Sequence, residues 1–388
     1  MSVVAEEVAR SPETEPDALA GFTIGVTATR RREEFCALLE RRGARVVSAP
    51  AIRLVPLAED AGLLAATRDT LAAPVDEVVI TTGVGFRGWM AAAEGWGLSV
   101  QLAEHLTRAR LLTRGPKARG AVRAAGLNDH WTPPTESCEE VKQYLLTQDL
   151  RGRRIVVQLH GEPLSGFVAD LRGAGAEVIE VPVYRWLPYR DVSPLRRLIT
   201  QAVSGGVDAV AFTSAPAVLA MLNEARAEGC EEALLAAFGG SVVAACVGSV
   251  TAGPLLSRGV PVIQPERSRL GSLARLLARY LPVESVTRLV AGGHDLEIRG
   301  HAVVVDGELK PLPPAPMAVL KRLADKPGHV IARSELRTVL PGGPSRDSAE
   351  HAVEMAITRL RRALGPAGIV ETVVKRGYRL ACEREGMM

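Results

Sequence analysis

The feature that most constrains this chain is an internal repeat. The stretch GARVVSAPAIRLVP that begins at Gly43 returns as GAEVIEVPVYRWLP beginning at Gly175, 132 positions later. The same spacing carries Ile80-Thr81-Thr82-Gly83 onto Phe212-Thr213-Ser214-Ala215. To within one residue it also carries Gly115 onto Gly248, and GFTIGV at Gly21 onto GRRIVV at Gly152. Matches in order at one spacing mean that two similar units build the first 280 or so residues, and such a repeat fixes the architecture before any local reading does.

Each copy alternates short apolar runs with helical stretches. The runs are FTIGVT, EVVI and RLLT, then RIVVQL, AVAFTS and VVAACV. Runs of this kind, bounded by Gly or Pro and separated by amphipathic helices, predict βαβ units on parallel sheets. The Pro-flanked segments 50–56 and 182–188 occupy equivalent places in the two copies. Pro disfavours continuation of a helix or a central strand, so these segments are natural crossings between lobes. The expectation is an α/β bilobal domain over 21–282, with one parallel-sheet lobe inserted in the other. Lobe 1 takes about 21–50 and 189–281, and lobe 2 about 54–183.

Composition agrees with a folded chain. Of 388 residues, 47% are hydrophobic and 23% charged, which excludes a wholly disordered or fibrous protein. No apolar run reaches the roughly 18 residues of a membrane helix, and residues 1–20 lack a signal pattern. That segment is expected to be a disordered leader on a cytoplasmic protein. The five cysteines are scattered with no CxxC spacing, so neither a disulfide framework nor a zinc site is supported. A net charge of +3 announces no global nucleic-acid binder, so any such role is local.

In open α/β sheets ligands bind beyond the carboxyl ends of strands, where helix N-termini point. Thr81, Thr82, Gly83, Thr213 and Ser214 fall at such ends, as do the turns holding Lys117, Gly248 and Ser249. Plain helix capping explains each hydroxyl singly. Their duplication points instead to two facing anion cradles for a multi-carboxylate ligand between the lobes. His160-Gly161-Glu162-Pro163 after RIVVQL reads either as an acid/base pair or as a helix start with Pro163 at the first position. No GxGxxG follows the first strand, and neither GxxxxGK[ST] nor GxSxG occurs.

The pieces VTATR, GARVVSAPAIRLVP, ITTGVGF, VIEVPVYRW, AFTSAPAV and CVGSVTAGPLLSRGVPV resemble uroporphyrinogen-III synthase. The resemblance covers the first 280 or so residues. It implies a bilobal enzyme that cyclises hydroxymethylbilane with inversion of ring D, without metal or organic cofactor. It places Tyr184 as the tyrosine that assists loss of the substrate hydroxyl, the alternative being a packed aromatic at the lobe junction. Thr251 falls on the family's threonine in the second Gly-x-x-Thr-Ala turn. The Thr81-Thr82 and Thr213-Ser214 strand ends imply contacts to acetate and propionate groups. One departure stands out: Ala118 replaces the threonine of the first such turn, with Lys117 and Arg119 beside it.

The last hundred residues differ. Residues 283–292 are expected to be a linker. Short strands around LEIRG, HAVVVDG and ELKPL precede three helices at 315–325, 333–340 and 347–364 and a hairpin over 368–380. That order is an α+β winged helix-turn-helix, here 293–384. In the third helix Val353, Ile357, Leu360 and Leu364 form one stripe at 100° per residue. The opposite face carries Ser348, His351, Met355, Thr358 and Arg362, flanked by Arg359 and Arg361. Such a face fits a major groove; a solvated cationic face is the alternative. MAVLKRLADKPGHVIARSEL and HAVEMAITRLRRALGPAGIVETVVKRGYRL are similar to the OmpR/PhoB DNA-binding domain. The resemblance implies double-stranded DNA as partner and tandem or homodimeric binding. It puts His351, Met355 and Thr358 on bases, and Arg346, Arg359 and Arg362 on phosphates. Lys375 and Arg376 fall in the wing. No receiver-like sequence precedes the module. Together the resemblances imply a regulator that senses a tetrapyrrole-type small molecule, with an active synthase or a bifunctional protein as alternatives. Actinobacterial proteins of this architecture are associated with nitrate and nitrite assimilation, which needs sirohaem.

Overall fold

The structure, a computed structural model, describes residues 17–57, 60–161, 163–340, 349–365 and 367–382. The chain opens with β1 (Thr23–Val26), α1 (Arg32–Glu40) and β2 (Arg45–Ser48), then leaves lobe 1 through β3 (Ile52–Pro56). Lobe 2 follows as α2 (Ala61–Ala72), β4 (Glu77–Ile80), α3 (Gly83–Gly95), α4 (Ser99–Arg108), β5 (Arg110–Thr113) and α5 (Pro116–Ala124). It continues with β6 (Asp129–Trp131), α6 (Cys138–Leu146), β7 (Arg154–Leu159), α7 (Ser165–Gly173) and β8 (Glu177–Pro182). The chain returns through β9 (Tyr184–Pro188), and β3 and β9 pair with each other. Lobe 1 is completed by α8 (Ser193–Val203), β10 (Ala209–Phe212), α9 (Ala215–Ala227), α10 (Glu231–Phe238), β11 (Val243–Cys246), α11 (Ser249–Leu256), β12 (Val262–Ile263) and α12 (Leu270–Glu284).

Both five-stranded sheets are parallel and share one order. Lobe 1 runs β12-β11-β10-β1-β2 and lobe 2 runs β6-β5-β4-β7-β8. Under the repeat, β1 corresponds to β7, β2 to β8 and β10 to β4. Each sheet therefore joins the first two strands of one copy to the last three of the other. The apolar strands serve two faces at once, as parallel sheets require. In lobe 2, Val78, Ile80, Leu111 and Val156 enter one core, while Val79, Leu112, Ile155 and Val157 enter the other. This is the period-2 alternation of strand side chains.

The C-terminal module begins with an antiparallel sheet, β13 (Thr287–Ala291), β14 (His294–Ile298), β15 (Ala302–Val305) and β16 (Glu308–Pro311). Then come α13 (Pro314–Ala324), α14 (Arg333–Thr338), α15 (Ala349–Leu364) and the hairpin of β17 (Val370–Val373) and β18 (Gly377–Leu380). Val353, Ile357, Leu360 and Leu364 are all buried, with Leu320, Leu323 and Tyr378, in one core.

Three expectations need correction. The 283–292 segment is not a linker: α12 runs to Glu284 and β13 occupies 287–291. The Gly292-Gly293 pair, with φ of 59° and 79°, is the tight turn joining β13 to β14. A two-residue turn with φ positive at both positions matches strand twist, so the glycines mark a hairpin. Residues 17–20 are not part of a disordered leader, because Leu19 is fully buried and its N–H donates to the Arg42 carbonyl at 2.7 Å; residues 1–16 lie outside the described residues. Pro163 is not the first residue of a helix, since α7 begins at Ser165 with Leu164 as its cap.

Candidate functional site

In lobe 2 the strand order reverses between β4 and β7, the position where open α/β sheets bind ligands. Thr81 and Thr82 leave the end of β4 there. The buried Thr81 hydroxyl donates to the Gln158 carbonyl at 2.9 Å. Thr82 caps α3, its Oγ1 accepting the Gly85 N–H at 3.2 Å. Gln158 on β7 is fully buried and donates from Nε2 to Thr82 Oγ1 at 3.0 Å. The Tyr184 hydroxyl at the head of β9 stands 3.5 Å from that same Thr82 oxygen. Tyr184 is held edge-on to Trp186 with ring centroids 5.6 Å apart, a favoured aromatic geometry.

That aromatic pair depends on Gly161. Its φ is 96°, and a β-carbon there would overlap the Trp186 indole and press on Tyr184. Trp186 Nε1 donates to the His160 carbonyl at 3.1 Å. The His160 segment thus acts through its backbone. Burial, aided by the Arg114 guanidinium, pushes the His160 imidazole below its ordinary pKa of 6.5. Its neutral form belongs to the folded lobe. Because the folded lobe binds fewer protons than the unfolded chain, this contribution is whole above pH 6.5. It is lost as the pH falls below 6.5 through the depressed folded value. Urea titration of the wild type and His160→Gln at pH 7.5 and 5.5 checks it: the substitution removes part of the stability loss seen on acidification. Glu162, its proposed acid/base companion, lies outside the described residues.

Gly83 starts α3 under the carbonyl of Lys117, which a β-carbon would overlap, so it lets α3 pack on α5. The Lys117 side chain is exposed. Arg119 is engaged elsewhere, 3.0 Å from Asp129, so of the two cations beside the buried Ala118 only Lys117 points to solvent unpaired with that acid. Gly115 caps α5 without a side-chain bond.

Lobe 1 repeats the plan. Ser214 caps α9 and Gly248 caps α11, neither through a side-chain bond to the helix. In α9 Pro216 carries no N–H and the Ala217 N–H donates to the Ser214 carbonyl at 3.2 Å, so only the remaining first-turn N–H groups take partners from outside the helix. Thr213 and Ser214 are half-buried and Ser249 is exposed, whereas Thr251 is buried. Thr27, the repeat partner of Gln158, donates to the Ala211 carbonyl at 3.1 Å. Sequence reasoning missed Gln158, Thr27 and the role of Gly161. The repeat spacing already paired the first two.

In the C-terminal module, His351, Met355, Thr358, Arg359 and Arg362 are all exposed on α15. Arg346 and Ser348 lie outside the described residues. Thr358 Oγ1 donates to the Glu354 carbonyl at 2.8 Å, leaving its lone pairs to accept from a base. Arg361 turns away from this face. It donates to the Val370 carbonyl at 2.9 Å and to Thr372 Oγ1 at 2.8 Å, pinning the hairpin to α15. The guanidiniums of Arg333 and Arg361 lie over the Tyr378 ring, 5.3 and 5.8 Å from its centroid. The tip carries Val374, 78% exposed, and Lys375 at φ 61°, followed by Arg376.

Residues 33–275 match the family model described as uroporphyrinogen-III synthase HemD. The chain belongs to the uroporphyrinogen-III synthase family. The synthase domain is similar to the solved uroporphyrinogen III synthase of Thermus thermophilus (a selenomethionine mutant). Identity is 32% over 67% of this chain and 98% of that one, with a TM-score of 0.55. It is also similar to the uncharacterized protein YjjA of Bacillus subtilis, 28% identical over 68% of this chain and 97% of that protein. Residues 307–380 match the model of the transcriptional regulatory protein C-terminal domain. The chain is also 32% identical to the response regulator protein PmrA of Pseudomonas aeruginosa over 109 residues, 28% of this chain and about half of that protein (48%). A synthase-type bilobal domain and an OmpR/PhoB-type winged helix are therefore fused in one chain. Among the described residues no helix is long and apolar enough to cross a membrane.

Proposed function

We propose that this chain is a DNA-binding transcriptional regulator whose synthase domain takes a tetrapyrrole or a related multi-carboxylate anion. The observation that carries the reading is the fusion itself, with the outer face of α15 open to solvent. In each lobe, paired helix N-termini at adjacent strand ends offer backbone N–H groups to carboxylates, and exposed Lys117 adds charge. A link to nitrate and nitrite assimilation through sirohaem supply belongs to the same proposal.

On DNA, His351, Met355 and Thr358 are proposed to read base edges, while Arg359, Arg362, Lys375 and Arg376 hold phosphates or the minor groove. Arg362→Ala is expected to weaken binding to all duplexes alike and to lower the salt slope by about one unit. Thr358→Val is expected to change base preference with the slope intact. Fluorescence anisotropy on a selected and a scrambled duplex across salt separates the two. Equal loss on both duplexes for Thr358→Val would remove it from base reading.

A second reading, retained catalysis, is favoured by the Gln158–Thr82–Tyr184 arrangement. Tyr184 would donate its proton to the departing hydroxyl of hydroxymethylbilane as a general acid, with its oxygen oriented by Thr82. The assay is conversion of freshly generated hydroxymethylbilane by the full chain and by Tyr184→Phe. The regulator reading expects only the spontaneously formed type I isomer. Type III product above background, lowered by the substitution, would make the chain an enzyme as well.

A further inference from the structure

The turn between β14 and β15 is built into lobe 1. The His301 N–H donates to the Gly21 carbonyl at 2.8 Å, and His301 Nδ1 lies 3.2 Å from Thr23 Oγ1. Arg299 Nη1 donates to the Ala20 carbonyl at 2.7 Å, and its guanidinium covers the Phe22 ring at 5.7 Å. Between them Gly300 presses on Asp208, where any β-carbon would overlap the carboxylate. Gly21, at φ 90°, approaches Ala302 and Arg299 closely from the other side. Gly300 admits no side chain, and at Gly21 a β-carbon would be strained by the positive φ and tight against Ala302 and Arg299.

Asp208 is the centre of this seam. Its carboxylate accepts the Thr23 N–H at 2.7 Å, and its backbone exchanges bonds with Thr23 and Val243. Burial raises its pKa, while the Thr23 N–H and Lys321 of α13 oppose that rise. Lys321 and Arg45 also flank His301. Charged groups thus meet from both modules. The seam lies off the DNA-reading face, since none of its residues belongs to α14, α15 or the β17–β18 hairpin.

Asp208 immediately precedes β10, and Thr213-Ser214 immediately follows it. A single four-residue strand, about 3.3 Å per residue, therefore has the anion cradle of lobe 1 at one end and the winged-helix seam at the other.

We propose that the DNA-binding module is latched to lobe 1 through residues 299–301, and that this latch is the link by which a ligand at the far end of β10 alters DNA binding. The coupling half rests on the regulator reading above; the latch itself does not. The recognition face stays open in the latched state, so the ligand acts on how the module is held and not by uncovering α15. A link of this kind requires that both sites bias the same element.

The test uses the full chain, with Gly300→Leu to break the latch and Asp208→Asn as the isostere that still accepts the Thr23 N–H. Hydrogen exchange reports the latch, and DNA anisotropy with and without uroporphyrinogen III reports coupling. In the wild type and Asp208→Asn, the His301 and Thr23 amides are protected and the ligand shifts DNA affinity about fivefold or more. In Gly300→Leu those amides exchange at least about tenfold faster, while the amides of Leu323 and Val210 keep their protection. That variant binds DNA without ligand as the wild type does, and its ligand response is gone. A His301 amide already unprotected in the wild type would overturn the latch. An opened latch with the ligand response intact would overturn its role as the link. No ligand response in a wild type with protected amides would overturn the regulator reading and the coupling together, leaving the latch standing.

Discussion

Leu360→Ala is expected to destabilise the winged-helix module by about 2–5 kcal/mol and to abolish DNA binding at 37 °C. Leu360 is fully buried in α15, in the same core as Val353, Ile357, Leu364, Leu320, Leu323 and Tyr378. Its removal leaves a cavity between the helix that presents the reading face and the elements that hold it. The module has fewer than one hundred residues, and small domains bury a smaller share of their surface. A loss of this size consumes much of the net stability of a typical domain, about 5–15 kcal/mol. Urea titration followed by circular dichroism, with anisotropy on the same samples, checks it. The transition of the winged helix shifts to lower urea, while that of lobe 2, whose cores are separate, stays put. An unchanged transition would mean that α15 does not pack by this stripe.

The second large effect is expected at Gly161. Gly161→Val places a β-branched residue at φ 96°, where only glycine is comfortable, at a strain of roughly 1–3 kcal/mol. Its side chain also overlaps Trp186 and crowds Tyr184, and overpacking of that kind costs a further ~1–3 kcal/mol. The rings are expected to be driven apart, carrying the Tyr184 hydroxyl away from Thr82. Tryptophan emission of Trp186 and tetrapyrrole affinity report the change, and affinity should fall by about tenfold or more, the equivalent of about 1.4 kcal/mol. Gly161→Ala should show the milder form of both effects. Wild-type affinity in the valine variant would mean that the aromatic pair does not shape the ligand site.

Much of this architecture is legible because a duplicated sequence leaves the same mark twice. The paired Pro-flanked segments expose the two passages between lobes, and the apolar runs expose every strand at the centre of each sheet. Those passages already assign parts of both copies to each lobe; what the repeat hides is the order of strands within each sheet, since a spacing says nothing about which strands pair. Residues 283–292 mislead because Gly292-Gly293 reads as loosening when it is a hairpin turn with φ positive at both positions. At the site, hydroxyls at strand ends are visible from Thr81-Thr82 and Thr213-Ser214. Gln158 is invisible as a site residue because a lone glutamine in an apolar strand has no pattern of its own; its meaning comes from pairing with β4. Gly161 is equally silent, because its function is the space it leaves for Trp186. In α15 the apolar stripe separates core from surface, but not Arg361 from Arg362. The first holds Val370 and Thr372 and the second faces solvent, a distinction that appears only once the hairpin is folded back.

The central claim is that a ligand in the synthase domain changes how the winged helix binds DNA. Its most direct test is the affinity of the full chain for its best duplex, selected from a random pool, at fixed salt and with saturating uroporphyrinogen III or none. Linkage requires that a ligand which shifts DNA binding bind with altered affinity to the DNA-bound protein by the same factor. A change of about fivefold or more in DNA affinity is expected, with the same factor when tetrapyrrole is titrated into the preformed complex. Bound tetrapyrrole with no change in DNA affinity would contradict the claim.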